Sequence, residues 1–525
     1  MPLDHGEAAL LRAVSHLLGI PERDVRKLEV YKRSVDAREG KPVRLSYTID
    51  AEVDDEAAIL ERVGAKNVAP RPDERYEAFR PVPAGGGRPR PVIIGTGPCG
   101  LFCALLLARA GRNPILLERG KPAGERARDV TGFWRRGWAL DPESNVQFGE
   151  GGAGTFSDGK LYTQIKDREH RIRWILRELV AAGAPPDILV NGKPHIGTDR
   201  LITVVRHLRE EIIACGGEVR FGAKVVDLMV DRGAARGVVL ADGSVVETDT
   251  VVVAVGHSAR DSFRMLQRAG VRFEAKPFSL GVRIEHPQRL IDAGQFGRAA
   301  GHPRLGAAAY KFVSHCRNGR SAYSFCMCPG GLVVAAASEP GGVVTNGMSS
   351  YARAEANANS GLMVDVRPGD FDGHDDPLAG CDYQRHWEEK AFELGGGNYF
   401  APAQRVGDFL RGRASESLGK VVPSYQPGVT PTDLAQCLPP FVVETLRLAI
   451  PRIERNLRGF AHPDAVMVGV ESRSSSPLRM PRHRDSLESE GLAGVFPAGE
   501  GAGYAGGIVS AAADGMRVAE VLVAR

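Results

Sequence analysis

Apolar residues recur at helical spacing over positions 7–18, where Ala, Leu and Val line one side. Two strand-like runs follow, 25–35 and 42–53, parted by the turn-prone Arg38-Glu39-Gly40-Lys41, and a second helix is predicted near 56–63. These elements make a small α+β module. Ala69-Pro70-Arg71-Pro72 and the run 81–91 then hold too much Pro and Gly for a helix and read as a linker, which puts the first boundary near residue 82. From Pro91 to about residue 270 strand and helix signals alternate, the pattern of a parallel α/β sheet. Residues 271 to about 487 instead mix short strands, turns and some helices, and from Gly494 a hydrophobic strand, a Gly-rich turn and an alanine-rich helix return. That order predicts an α/β, doubly wound domain (83–270 and 488–525) interrupted by an inserted α+β domain (271–487), behind the N-terminal module (1–82).

Composition narrows the classes. A chain of 525 residues, 43% hydrophobic and 25% charged, is long enough for two to four packed units and has the balance of a globular protein. Its net charge of +4 is too small at this length to argue for a nucleic-acid partner. The eight cysteines are scattered, without the spacing of a disulfide framework, which fits reduced thiols. The first residues lack a basic stretch followed by an apolar core, and no apolar run is long enough for a membrane helix, so a cytoplasmic location without a membrane partner is expected.

The strand Pro91-Val92-Ile93-Ile94 runs into Gly95-Thr96-Gly97-Pro98-Cys99-Gly100 and a helix from Leu101. Gly95 permits the tight turn, Gly97 lets backbone approach a pyrophosphate, and Gly100 lets the helix pack on the strand, with the helix N-terminus facing the anion. A second strand ends at Glu118-Arg119, where an acidic group is placed to accept hydrogen bonds from ribose hydroxyls. A structural loop with a solvated Glu is the plainer alternative. At the far end Gly499-Glu500 precedes Gly501-Ala502-Gly503-Tyr504-Ala505-Gly506-Gly507 and a helix from Ile508. This resembles the second flavin signature of two-dinucleotide-fold flavoproteins, with Glu500 where Asp is commoner, and it points to FAD rather than NAD. Three further segments are expected at the same cofactor. They are the strand containing Val225 and Val226, the turn at Gly256, and a loop whose Gly152, Thr155, Ser157, Asp158 and Lys160 suit a flavin ring or a phosphate.

Together with Cys326-Met327-Cys328-Pro329-Gly330-Gly331, Val343-Val344-Thr345-Asn346-Gly347-Met348-Ser349 and Ser472-Arg473-Ser474-Ser475-Ser476-Pro477, these segments resemble the FAD-dependent dehydrogenase family, over nearly the whole chain. The resemblance implies a Rossmann-like FAD-binding domain carrying non-covalent FAD and a substrate domain, without naming a reaction. No second dinucleotide fingerprint occurs, so NAD(P)H is expected only as a transient donor, and no iron–sulfur or metal-ligand spacing is present. Substrate contacts are expected from the insert: Arg283, His286 and Arg473 as anchors for an anionic small molecule, and Cys326 with Cys328 as a C-x-C pair. Each has a plainer alternative. Residues 281–286 fit a half-exposed strand with solvated charges, His286 a surface residue, and the two cysteines simple packing. The expected function is an FAD-dependent oxidoreductase acting on a small organic substrate by hydride transfer through flavin N5. A flavin-based redox sensor and a flavoenzyme acting on RNA are the rivals, and the substrate, electron donor and oligomeric state are left open.

Overall fold

Alternate side chains of the strand Val92–Ile94 enter two different cores: Ile93 joins the helices Pro98–Arg109 and Ile508–Ala524, whereas Val92 and Ile94 join Val225, Val238 and Leu266 on the opposite face. A strand buried on both faces needs apolar residues at successive positions, which explains its unbroken run. It is the centre of a five-stranded parallel sheet ordered Val495–Pro497, Val251–Val253, Val92–Ile94, Ile115–Leu117, Glu218–Arg220. The last strand of the chain thus lies in the same sheet as the first fingerprint strand, and the closing helix packs along Pro98–Arg109. The α/β architecture with an inserted domain stands as expected from the sequence. The computed structural model describes residues 1–38, 41–64, 67–77, 89–373 and 375–525; the turn at Glu39-Gly40 and most of the linker, with the boundary near residue 82, lie outside them.

The segment 218–226 is not one strand. It breaks at Gly222, where φ is +64°, and its second half starts a separate antiparallel sheet of Val225–Asp231, Ala234–Leu240 and Val245–Glu247. Side chains alternate along that strand, so Val225 is buried and Val226 is 38% exposed. The N-terminal module forms a two-stranded sheet, Val25–Asp36 with Arg44–Val53. It is joined to the α/β domain through backbone hydrogen bonds between Arg33 and the Val190–Gly192 turn.

The insert is built on a seven-stranded sheet whose central strand, Phe278–Pro287, lies between Asn357–Val366 and Val466–Glu471. The half-exposed strand expected at 281–286 is instead interior: Arg283, Glu285 and His286 are all fully buried. Each of the three side chains finds at least one partner inside, which is the condition for burying it. Arg283 pairs with Glu471, Glu285 accepts from Ser424 and Asn357, and the His286 ring meets the Phe460 carbonyl at 2.7 Å. Among the described residues no helix is long and apolar enough to cross a membrane.

Candidate functional site

One cleft opens at the C-terminal ends of the parallel strands, between the α/β domain and the insert. At its phosphate end the turn is closed by backbone. Gly95 has φ +104° and a Cβ there would sit 2.5 Å from the Ala254 carbonyl, while a Cβ on Gly100 would collide with the Gly95 carbonyl. Gly97 differs: the nearest atom to a Cβ is Gly152 Cα at 4.0 Å, so the space it leaves belongs to the cleft. Gly97 caps the helix Pro98–Arg109 without any side-chain hydrogen bond, and Pro98 has no N–H to lose. The helix therefore presents unpaired N–H groups to the cleft, the arrangement that binds anions. Pro98 and Cys99 line the cleft beside Gly97 and Gly152.

Glu118 borders the cleft, but its carboxylate is already engaged. One oxygen accepts from Thr96 N at 3.0 Å and Thr96 Oγ1 at 2.6 Å, the other from Gly120 N at 2.9 Å and Gly149 N at 3.0 Å. These four donors use the acceptor capacity of a carboxylate, so in this structure Glu118 ties two glycine turns together rather than offering free positions to a ribose. Arg119 lies over the Phe148 ring at 4.1 Å and forks onto Asp261, with both bonds at 2.9 Å. Val225 completes this end; Val226 faces solvent and is not part of the wall.

The glycine loop beside the fingerprint is held by a residue that sequence reasoning missed. Arg126 is fully buried and donates to the carbonyls of Asn145, Val146, Gly149, Glu150 and Gly152 at 2.7–3.2 Å. Burial pushes its guanidinium down to about 10 against the charges of Glu118 and Glu150, so it is still cationic. Ser157, Asp158 and Lys160 reach the cleft, while the Thr155 hydroxyl turns inward to the Glu150 carbonyl at 3.1 Å. Asp158 is bound by Arg353 from the insert at 2.9 Å and by Lys160 at 2.8 Å, and those cations outweigh its burial and hold its carboxyl well below the usual range.

Glu500, Gly507 and Ile508 line the cleft with Gly256 and His257, and Ile508 lies against Gly154 beside Pro98. Gly507 caps Ile508–Ala524, again without a side-chain bond, so a second helix N-terminus opens onto the same cavity. Gly499 and Gly506 shape this turn without lining the cleft. Burial raises the Glu500 carboxyl to about 7, against the Gly507 N–H and the Lys276 charge, and lowers the neighbouring His257 to about 4. Near neutral pH Glu500 is poised to gain or lose a proton, whereas His257 is neutral.

The insert supplies the facing wall, with Phe325, Cys326, Asn346, Arg473 and Ser474. Arg473 is not a free fork: it is bound to Glu388 at 2.9 and 3.0 Å, Glu339 at 3.2 Å and Ser338 at 2.5 Å. Arg283 and His286 do not line the cleft, so neither anchors a substrate there. Cys326 lines it, while Cys328 is buried behind it.

The donor set fits a dinucleotide. Two uncapped helix N-termini face one cavity, the space over Gly97 is open, and no atom lies within 4 Å of a Cβ built on Gly256 or Gly507. Residues 277–474 match the family model "FAD-dependent protein, C-terminal domain-like", and residues 1–52 match a domain of unknown function, DUF8436. A protein of Clostridium beijerinckii described as uncharacterized is 45% identical over 526 residues, covering 100% of this chain and 97% of its own. Protein FixC of Escherichia coli K12 is 29% identical over 210 residues, which span 38% of this chain and 44% of FixC. Among solved structures, CtdE in complex with FAD is similar at 11% identity over 83% of this chain and 84% of its own, with a TM-score of 0.31. The chain belongs to the family of FAD-dependent flavoproteins that carry this C-terminal domain.

Proposed function

We propose that the protein is an oxidoreductase that passes a hydride between flavin N5 and a small organic substrate held against the insert's wall. The observation that carries this reading is the position of Glu500: a carboxyl raised to about 7 sits on the cleft beside the N-terminus of Ile508–Ala524, within the same cavity as Cys326 and Asn346. Bound FAD supplies two-electron chemistry at its ring, and the protein supplies binding, orientation and a proton. Gly97 and Gly152 with the first helix N-terminus would hold the pyrophosphate. Arg119 and Val225 flank the adenosine end, and Gly507 and Ile508 would stabilise negative charge at the pyrimidine edge through the second helix N-terminus. Glu500 exchanges the substrate proton. With Arg473 already paired to Glu388 and Glu339, the insert's wall offers no free cation among the described residues, which favours an uncharged or weakly anionic substrate over a polyanion.

A visiting nicotinamide is the proposed electron donor, and the cytoplasm the proposed location, supported by eight free cysteines. Anaerobic mixing of the holoprotein with NADH and then NADPH, followed by a panel of small electron acceptors, tests the reading. Bleaching of the flavin band by a donor and its recovery with an acceptor over repeated cycles is the expected outcome. Binding of donors or partners that changes with flavin state, with no turnover on any acceptor, would contradict it and favour a sensor.

A further inference from the structure

The strand Ser321–Cys328 pairs regularly with Asn357–Val366 as far as Phe325 opposite Gly361, then slips so that Cys328 stands opposite Asn359. One extra residue is accommodated there, and Cys326 takes it up with φ +42°, a left-handed conformation that side chains other than glycine rarely adopt. Residues two apart on a regular strand lie roughly 6.7 Å apart, near the limit for joining their sulfurs. The bulge removes that regular spacing, and Cys328 Sγ turns back on the kink, donating to the Cys326 carbonyl at 3.2 Å.

This kink is held by side chains of the neighbouring strands. The Phe325 carbonyl accepts from Ser360 Oγ at 3.2 Å, and the Cys326 carbonyl accepts from Arg283 Nη1 at 2.8 Å. Arg283, fully buried, is in turn fixed by Glu471 and Asn346. Lys160 reaches the same spot from the cofactor domain, with Nζ 4.0 Å from Cys328 Sγ. The other titratable groups facing the pair are Asp158 and Glu471, each already bound to a cation, together with Glu500, Tyr162 and Tyr310. The contrast with other buried thiols is sharp. Burial raises Cys99, Cys103, Cys381 and Cys437, whereas the Cys328 hydrogen bond, with Lys160 and Arg283, pulls Cys326 down and Cys328 goes up, so that one proton serves both sulfurs.

We propose that Cys326 and Cys328 are a redox pair that exchanges two electrons with FAD, Cys326 being the thiol on the cleft wall and Cys328 the resolving thiol behind it. The proposal rests on FAD occupying the cleft, and it gives the site a second store of reducing equivalents. In the oxidising direction the one S–H bond that the pair holds is lost and one S–S bond forms between the Cys326 thiolate and Cys328. Two electrons and that proton pass to the flavin, and no proton is left over. The reverse step restores the thiolate and the thiol and returns the flavin to its oxidised state. Lys160 and Arg283 stabilise the Cys326 thiolate in either direction.

The test uses the air-oxidised holoprotein, its C326S variant and its C328S variant. Anaerobic dithionite titration of the wild type is expected to consume about four electrons per FAD, two for the flavin and two for the disulfide, and about two in either variant. Thiol counting after denaturation should find two fewer free thiols in the oxidised wild type than the eight of the reduced chain. Uptake of about two electrons by the wild type, with all thiols free in both states, would overturn the pair. So would an equal thiol loss in C326S, which would assign it to other cysteines. C326S keeps the test decisive if C328S, altered in the core, fails to fold. Substrate turnover by C326S at the wild-type rate would leave the oxidoreductase reading standing while removing the pair from the reaction.

Discussion

On the cofactor-domain side of the cleft the chain meets its ligand mainly with backbone: the space over Gly97, the turn at Gly507 and two helix N-termini without side-chain caps. On the insert side it uses buried side chains bound to one another, with Arg283 on Glu471 and Arg473 on Glu388, and Arg353 of the insert reaches across to Asp158 and Lys160 of the cofactor domain. The difference follows from what each side must do. A dinucleotide is recognised by repeated N–H donors at close approach, which glycine permits, whereas positioning a thiol or an acid needs side chains whose charges are compensated on the spot. Cofactor binding is thus concentrated on one wall, which also carries the acid Glu500, and the thiol pair on the other, and each wall breaks in its own way.

The largest effect is expected at Arg126, whose loss leaves five loop carbonyls without their donor. An unsatisfied buried acceptor costs about 1–3 kcal/mol, so R126M should lower stability by roughly 5 kcal/mol or more and release FAD. Thermal unfolding and flavin retention on a desalting column check this. Next is Arg283, where R283M leaves Glu471 buried and unpaired at a cost of about 3–5 kcal/mol. The double variant R283M/E471L should recover most of that stability in a denaturant melt while alkylation of Cys326 slows, separating the fold of the insert from its chemistry. Glu500 gives a smaller change. A step that needs its carboxylate should speed up as pH rises through about 7, and E500Q should flatten that limb of the pH–rate profile while retaining FAD. The smallest effect is expected at Val226, whose exposed side chain predicts that V226S binds FAD within a factor of about two of wild type, while Val225, on the wall, tolerates no such change.

What was legible in the sequence was local. Gly95, Gly97 and Gly100 fall within one turn, as do Glu500, Gly507 and Ile508, and the doubly wound order follows from hydrophobic runs separated by helices. The rest depends on pairs far apart in the chain. Nothing in residues 281–286 announces that Arg283 meets Glu471 across a separation of 188 residues, so an interior ion pair was read as a solvated strand. Arg126 looks like any arginine on an amphipathic helix until the loop 145–152 folds around it. Val226 was placed on the wall because the strand was read as continuous through Gly222, and its side chain points the other way once alternation is followed from Val225. The bulge at Cys326 has no signal in composition or spacing; it arises where the strand slips against Asn359.

The division between the two walls is tested most directly by equilibrium binding of FAD to the apoproteins of G97V and C326S. Valine at 97 meets no protein atom closer than 4.0 Å at its Cβ, so it should fold and yet fill the pyrophosphate space. The account predicts roughly 100-fold weaker FAD binding for G97V, a loss of about 3 kcal/mol, and binding within about threefold of wild type for C326S. Equal losses in the two variants, or a loss confined to C326S, would contradict it.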